Sequence, residues 1–255
     1  KISRGVMKRT IVGNWKMNLN IRQSEILLSR LKANIINPTA SVVVCPTFVS
    51  LSSISNIIKS YGDSTYAVGA QNIFDKDEGP FTGEVSAEII KGLVDYCIVG
   101  HSERRIVFGE RDDLIANKLA ACIRNRITPI LCVGENIHQR EEGLAKRTIM
   151  DQLEEDLSEI VPEEVKNILI AYEPVWAIGT GKNASVIDVE EILFEIQKYL
   201  LNKYGEAVAH KVKILYGGSV NADNAKSYLD ISLCDGLLVG GASLNYKEFS
   251  KICQL

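Results

Sequence analysis

Two rhythms of hydrophobicity take turns along this chain. One is a short unbroken apolar run, such as Val42-Val43-Val44-Cys45, Tyr96-Cys97-Ile98-Val99 or Ile168-Leu169-Ile170-Ala171-Tyr172. Such runs mark strands buried on both faces, as parallel strands are. The other rhythm places an apolar residue at every third or fourth position, which gives a helix one face for the core. Strands are predicted over residues 9–13, 42–45, 66–69, 96–99, 127–133, 168–172, 213–216 and 236–239. The first helices carry Leu27, Leu28, Leu31 and Ile35, then Leu51, Ile54 and Ile58, then residues 86–93. Later ones carry Ile115, Leu119 and Ile123, then Ile149, Leu153, Leu157 and Ile160, then Ile192, Ile196 and Leu200, with a short turn near Ala225 and a last helix over 246–253. Asn20 with Gln23 three residues on has the form of a capping box. Asp112 is placed to cap the helix through Ile115, and Asp188, with Glu191 behind it, the helix through Ile192. Eight strand–helix units without a linker, repeat or low-complexity segment imply a parallel sheet. Eight units in about 250 residues fit a closed (β/α)8 barrel, with reactive groups at the strands' C-terminal ends. A doubly wound open sheet is the alternative.

Composition changes this picture little. The chain has 255 residues, 46% hydrophobic and 24% charged, which is ordinary for a globular domain. A net charge of −3 without a basic stripe offers nucleic acid no electrostatic footprint. No apolar run approaches the roughly 20 residues of a membrane span. The six cysteines have neither CxxC nor metal-ligand spacing, several lie in strand-like runs, and a reduced cytoplasmic setting is expected. Residues 1–6 are polar and lack the apolar core of a signal peptide. Met7 reads as a natural start, so 1–6 are expected to be an added or unstructured N-terminal tail and 7–255 a single domain.

The candidate chemistry falls where strands end. Glu173 follows the sixth strand at once, then Pro174 ends regular pairing. Val175-Trp176-Ala177-Ile178 before Gly179-Thr180-Gly181 is an apolar loop between hinges, suited to a lid that excludes water. Asn14 and Lys16 follow the first strand, with Trp15 and Met17 flanking the lysine so that its stem lies against apolar surface. Such a held cation suits an anionic substrate. His101, one of three histidines, precedes Ser102-Glu103-Arg104, which looks like a helix start. A histidine facing helix N–H groups stays neutral and can donate a hydrogen bond. Gly217-Gly218-Ser219 and Gly240-Gly241-Ala242 each lie between a strand and a helix and supply N–H groups for a phosphate. Only in a closed barrel do all these strand ends converge.

Other motifs fail. Gly179-Thr180-Gly181-Lys182-Asn183-Ala184 has the form GxGxxA, but six residues separate it from its strand. Gly181-Lys182 lacks the upstream glycine and the Ser/Thr of a P-loop, and neither GxSxG nor HExxH occurs. Metal and acyl-transfer chemistry therefore find no support.

GNWKMN (13–18), PFTGE (80–84), VGHSERR (99–105), AYEPVWAIGTG (171–181), ILYGGSV (214–220) and GLLVGGASL (236–244) together resemble the triosephosphate isomerase family, over essentially the whole chain from Met7. Departures are slight: Pro80 stands where the family often has a small residue, and Cys45-Pro46-Thr47-Phe48 varies a strand-end turn. The resemblance implies a single-domain α/β protein, a closed (β/α)8 TIM barrel. It implies interconversion of dihydroxyacetone phosphate and D-glyceraldehyde 3-phosphate through an enediol(ate), a glycolytic and gluconeogenic step in the cytoplasm, without metal or cofactor. By the same resemblance Glu173 moves the proton, neutral His101 polarises the carbonyl, and Lys16 and Asn14 stabilise developing charge. N–H groups of Gly179, Ser219, Gly240 and Gly241 hold the phosphate, while Glu103, Ser102, Thr82 and Tyr216 support the site. A homodimer is implied through the long loop from Gln71 to Glu84, whose tip around Phe81 and Thr82 inserts into a second subunit near Asn14 and Lys16. The rival readings are a sugar-phosphate-binding barrel without turnover, which would be expected to lack Glu173 or His101, and another phosphate-binding barrel enzyme such as an aldolase or a biosynthetic isomerase. A Schiff-base aldolase would need a lysine inside a late strand. Lys213 lies at a strand's start, the wrong end.

Overall fold

The computed structural model describes residues 7–36, 38–177 and 183–255. The expected tail, residues 1–6, lies outside them. Eight parallel strands follow one another around a closed barrel: β1 (Thr10–Asn14), β2 (Ser41–Cys45), β3 (Tyr66–Ala70), β4 (Tyr96–Val99), β5 (Thr128–Val133), β6 (Leu169–Tyr172), β7 (Lys213–Tyr216) and β8 (Gly236–Val239). β8 pairs with β1, Thr10 opposite Gly236 and Gly13 opposite Val239, which excludes the open sheet.

The unbroken apolar runs have a direct cause. Alternate residues point to opposite faces of a strand, and here neither face meets water. Val12, Val43, Ile98, Ile130, Leu215 and Leu238 fill the barrel's interior as one cluster. Ile11, Val42, Val44, Val99, Ile170 and Leu237 face outward into a second, larger core shared with the helices, among them Leu28, Leu31, Ile54, Leu119, Leu153 and Ile196. The six cysteines are all buried and none is in a disulfide. No helix among the described residues is long and apolar enough to cross a membrane.

Local signals hold where side chain and backbone agree. The Asn20 side chain accepts from the Gln23 N–H at 3.0 Å and the Gln23 side chain from the Asn20 N–H at 2.9 Å, so the capping box opens helix Ile21–Asn34. Other local expectations give way. The helix expected over 86–93 is a single turn, Ala87–Ile90. Arg111 takes the cap position of helix Asp112–Arg124, because the Asp112 carboxylate is drawn into an ion pair with Arg105. Ser185, not Asp188, caps helix Val186–Tyr204, its hydroxyl accepting the Asp188 N–H at 3.1 Å. A short helix, Ile137–Glu141, opens on an unforeseen capping box of Asn136 and Gln139.

Closure has a steric condition at the seam. A Cβ added to Gly236 would lie 1.8 Å from the Thr10 carbonyl oxygen, on the strand that β8 must join. Backbone on both sides leaves little room to yield. Gly236→Ala is expected to destabilise the barrel by about 3 kcal/mol or more, lowering the melting temperature by about 6–12 °C. A melting temperature within about 2 °C of the wild type would show that the seam tolerates a side chain.

Candidate active site

All eight strands deliver their C-terminal ends to one mouth. A cavity of about 250 Å³ opens there, lined by Asn14, Lys16, His101, Glu173, Ser219 and the glycines 217, 218, 240 and 241. It is smaller than the roughly 300–1,000 Å³ of pockets for drug-sized ligands, and so suits a small metabolite.

Each wall follows from local geometry. At the end of β1 the Asn14 side-chain oxygen accepts the Lys16 N–H at 3.1 Å, turning the chain so sharply that Lys16 takes φ +52°. A non-glycine residue there is strained. Gln71, the first residue after β3, holds the turn: its amide donates to the carbonyls of Lys16 (2.9 Å) and Cys45 (2.8 Å). The lysine ammonium pairs with Glu103, and its stem runs beside Gly240, where a Cβ would stand 3.5 Å from Lys16 Cε. Trp15 is wholly buried, but Met17 is 93% exposed, so the apolar support expected from Met17 is absent. The left-handed turn throws it outward.

His101 caps helix Ser102–Val107, its Nδ1 accepting the Glu103 N–H at 3.2 Å. With Nδ1 accepting, the neutral imidazole would carry its proton on Nε2. That nitrogen lies 3.0 Å from Glu173 Oε1. The other carboxylate oxygen accepts the Ser102 N–H at 2.9 Å. Arg105 bolts this helix down, with its guanidinium on the Gly100 carbonyl (2.8 Å), the Cys132 carbonyl (3.0 Å) and the buried Asp156 (2.6 Å).

Burial alone would raise the pKa of Glu173. His101, the Ser102 N–H and the more distant Lys16 more than offset it, so the carboxylate lies below its ordinary value. For His101, burial lowers the pKa and the facing Glu173 charge raises it further, leaving it above the ordinary value. Each group thus favours the other's charged form, while the Glu103 N–H at Nδ1 opposes a second proton on the ring.

The rest of the lining is largely backbone. No acceptor among the described residues takes the N–H of Ser219, Gly240 or Gly241. The first glycines of the Gly217-Gly218 pair do steric work as well. A Cβ on Gly217 would stand 3.0 Å from Glu173 Cγ, and one on Gly218 would stand 2.1 Å from the Tyr216 hydroxyl. Tyr216 lies beneath, stacked on Tyr228 with ring centroids 4.1 Å apart.

Of the other expected site residues, Gly179 lies outside the described residues. Thr82 is exposed on its loop and lines no cavity at the mouth. Besides Gln71, sequence reasoning passed over Glu135. This wholly buried carboxylate takes the Trp176 indole N–H at 2.9 Å and the Tyr172 hydroxyl at 3.1 Å, and Arg140 stacks over the Trp176 ring. It therefore anchors the start of the loop after Glu173. Both residues stand just past a strand end, the signal that marked the others.

A sequence profile of the family described as Triosephosphate isomerase matches residues 9–255. The chain belongs to the triosephosphate isomerase family. A triosephosphate isomerase of Cytophaga hutchinsonii is 42% identical over 252 residues, 97% of this chain and 98% of the relative. Those of Clostridium botulinum (strain Eklund 17B) and Clostridium tetani are each 41% identical, over 96% and 97% of this chain and 98% and 96% of theirs. Within the triosephosphate isomerase family the aldolase alternative falls away. Its candidate Lys213 points to the Lys8 carbonyl (2.8 Å) and the Thr10 hydroxyl (2.9 Å), at the far end of the barrel.

Gln71→Ala removes both hydrogen bonds that hold the Lys16 turn. It is expected to lower kcat/KM about tenfold, from loss of about 1–3 kcal/mol of positioning. Unchanged kinetics in the steady-state assay would mean that the turn holds itself.

Proposed function

We propose that this chain interconverts dihydroxyacetone phosphate and D-glyceraldehyde 3-phosphate, with Glu173 moving a proton between neighbouring carbons through an enediol(ate). The observation that carries this reading is what one small cavity brings together. Glu173, His101 and Lys16 line it together with the open N–H groups of Ser219, Gly240 and Gly241. A three-carbon phosphate held by those N–H groups presents its carbonyl end to the charged side chains.

The chemistry needs a base for a C–H proton, donors for the developing oxyanion and little water. Glu173 leaves the Ser102 N–H and His101 and turns to the substrate carbon. It thereby loses the contacts that depress its pKa and keeps the burial that raises it, so it becomes a stronger base at the moment of use. The His101 Nε2–H donates to the carbonyl oxygen as negative charge grows there. Lys16 supplies a fixed positive charge, and Asn14 holds the turn that presents it. Glu173 then returns its proton to the adjacent carbon while His101 exchanges a proton between the two oxygens. The net change is one proton and one double bond relocated, so no electron acceptor or metal is required. Gly179 would add another phosphate donor. The charged metabolites and the buried thiols suit a cytoplasmic enzyme.

The active unit is a homodimer on this reading. Beside the catalytic cavity a second one, of about 240 Å³, is bounded by Lys16, Gln71, Phe48, Arg104 and Phe108. Around it Met17, Val49, Ile106, Val107 and Phe108 are each at least 65% exposed, an apolar rim that calls for a cover. Phe81 rests on Phe74 of its own loop, with centroids 4.5 Å apart, and stays 40% exposed, so its outer face is free to meet a partner. A loop tip from a second copy fits, bringing Phe81 as the anchor and Thr82 beside Lys16.

In a coupled assay with both triose phosphates and a metal chelator, the wild type should turn over. Glu173→Gln should fold normally yet lose about 10²-fold or more in kcat, because an amide cannot take the proton. A variant that keeps most of its kcat would remove Glu173 from the mechanism. For assembly, sedimentation and activity across a dilution series should show Phe81→Asp dissociating and losing activity together. A fully active monomer would refute the dimer reading.

A further inference from the structure

The N-terminal end of the barrel holds a feature that the isomerase reading leaves unused. A cavity of about 500 Å³, larger than either at the mouth, opens where β4, β5, β6 and β7 begin. Four of its lining residues are cationic: Arg126, Lys166, Lys211 and Lys213. Glu164 is the one carboxylate in the lining. Elsewhere this chain pairs its charges densely, with Lys32, Arg105, Lys118, Arg124, Lys146 and Lys203 all in ion pairs. Here the side chains of Arg126, Lys166 and Lys211 have neither an ion pair nor a hydrogen bond among the described residues.

Two further observations indicate that this is a built site and not a chance meeting of surface lysines. First, Arg126 takes φ +60°, one of three non-glycine residues among the described ones with positive φ. It follows helix Asp112–Arg124, where the Ile127 N–H closes back on the Cys122 carbonyl at 2.9 Å. At such a helix end glycine or asparagine is the relaxed choice. Holding an arginine there is strained in the same way as Lys16 at the mouth. Second, Lys213 is half-buried, with its ammonium fixed by the Lys8 carbonyl and the Thr10 hydroxyl. Burial lowers its pKa despite Asp235 nearby. The cavity's floor is apolar: Leu169 belongs to the interior cluster and Tyr96 packs on it. A concave apolar floor ringed by unpaired cations has the composition of a ligand pocket, with a volume within the roughly 300–1,000 Å³ range.

We propose that this cavity binds a small multivalent anion, an organic molecule bearing two or more phosphate or carboxylate groups, at the end of the barrel opposite the catalytic mouth. The cations lie on separate elements, Arg126 after a helix, Lys166 on the 3-10 turn Pro162–Asn167, and Lys211 and Lys213 leading into β7. Cations spread over separate elements suit an extended polyanion, whose several charged groups can each meet one of them. The site stands apart from the isomerase reading and does not depend on it.

The test is calorimetric titration of the whole protein with inorganic tripolyphosphate at low salt. Three variants run beside the wild type: Lys166→Ser/Lys211→Ser, a control of equal charge loss on distant helices (Lys146→Ser/Lys198→Ser), and Lys16→Ala at the mouth. All the altered side chains except Lys16 are exposed and lie away from the catalytic cavity. The expected result is binding that weakens about tenfold or more in Lys166→Ser/Lys211→Ser, with kcat/KM unchanged, and that persists in the other two. Binding abolished by Lys16→Ala alone would assign the anion to the mouth and overturn the proposal. Equal weakening in the control pair, or none in Lys166→Ser/Lys211→Ser, would reduce it to non-specific charge attraction and also overturn it.

Discussion

The mouth of this barrel depends on keeping one buried carboxylate charged. Glu173 is 2% exposed, and an ionised carboxylate taken from water costs several kcal/mol unless it is hydrogen-bonded and paired. Two donors meet that cost, the Ser102 N–H and His101 Nε2. Their requirements then shape the surroundings. His101 can offer Nε2 because a backbone N–H occupies its other nitrogen, which requires a helix to begin there. The helix stays in place because Arg105 ties it to β5 and to Asp156. Close approach from the other sides demands residues without Cβ: one on Gly134 would fall 1.7 Å from the Glu173 carbonyl oxygen.

Much of this was legible in the sequence, for a physical reason. A strand buried on both faces must be apolar throughout, so the runs named the strands nearly to the residue, and β4, β7 and β8 fell where they were expected. The strand ends then located the residues that gather at the mouth. What stayed hidden depends on partners distant in sequence. Asp112 looked like a cap until Arg105 claimed its carboxylate. Gln71 looked like the start of a loop, since nothing local shows that its amide spans to carbonyls of two other strands. Glu135 went unnoticed for the same reason, its partners lying on β6 and the turn after it. Met17 faces outward because a left-handed turn at Lys16, which no local pattern announces, reverses which neighbour points inward.

The barrel's two ends contrast in how they treat charge. At the mouth the cations lining the cavities among the described residues have a carboxylate within reach, Lys16 on Glu103 and Arg104 on Glu110 at 2.5 Å. Substrate must therefore compete with internal partners, which favours a ligand that meets several groups at once. At the opposite end Arg126, Lys166 and Lys211 have no ion pair among the described residues, so a ligand there need not displace a carboxylate from them.

The strained turn at Lys16 also bears on the order in which the molecule is assembled. An isolated chain visits φ near +52° rarely for lysine, and here the conformer is secured by an amide that reaches from the end of β3 to the ends of β1 and β2. Three strands must be side by side before that amide can act. The cation is thus positioned after the sheet, as a late event of folding, and is released by the first local loosening of it. Under mild denaturant, catalytic competence should fade while secondary structure persists, which makes turnover a more sensitive gauge of the native state than helix content.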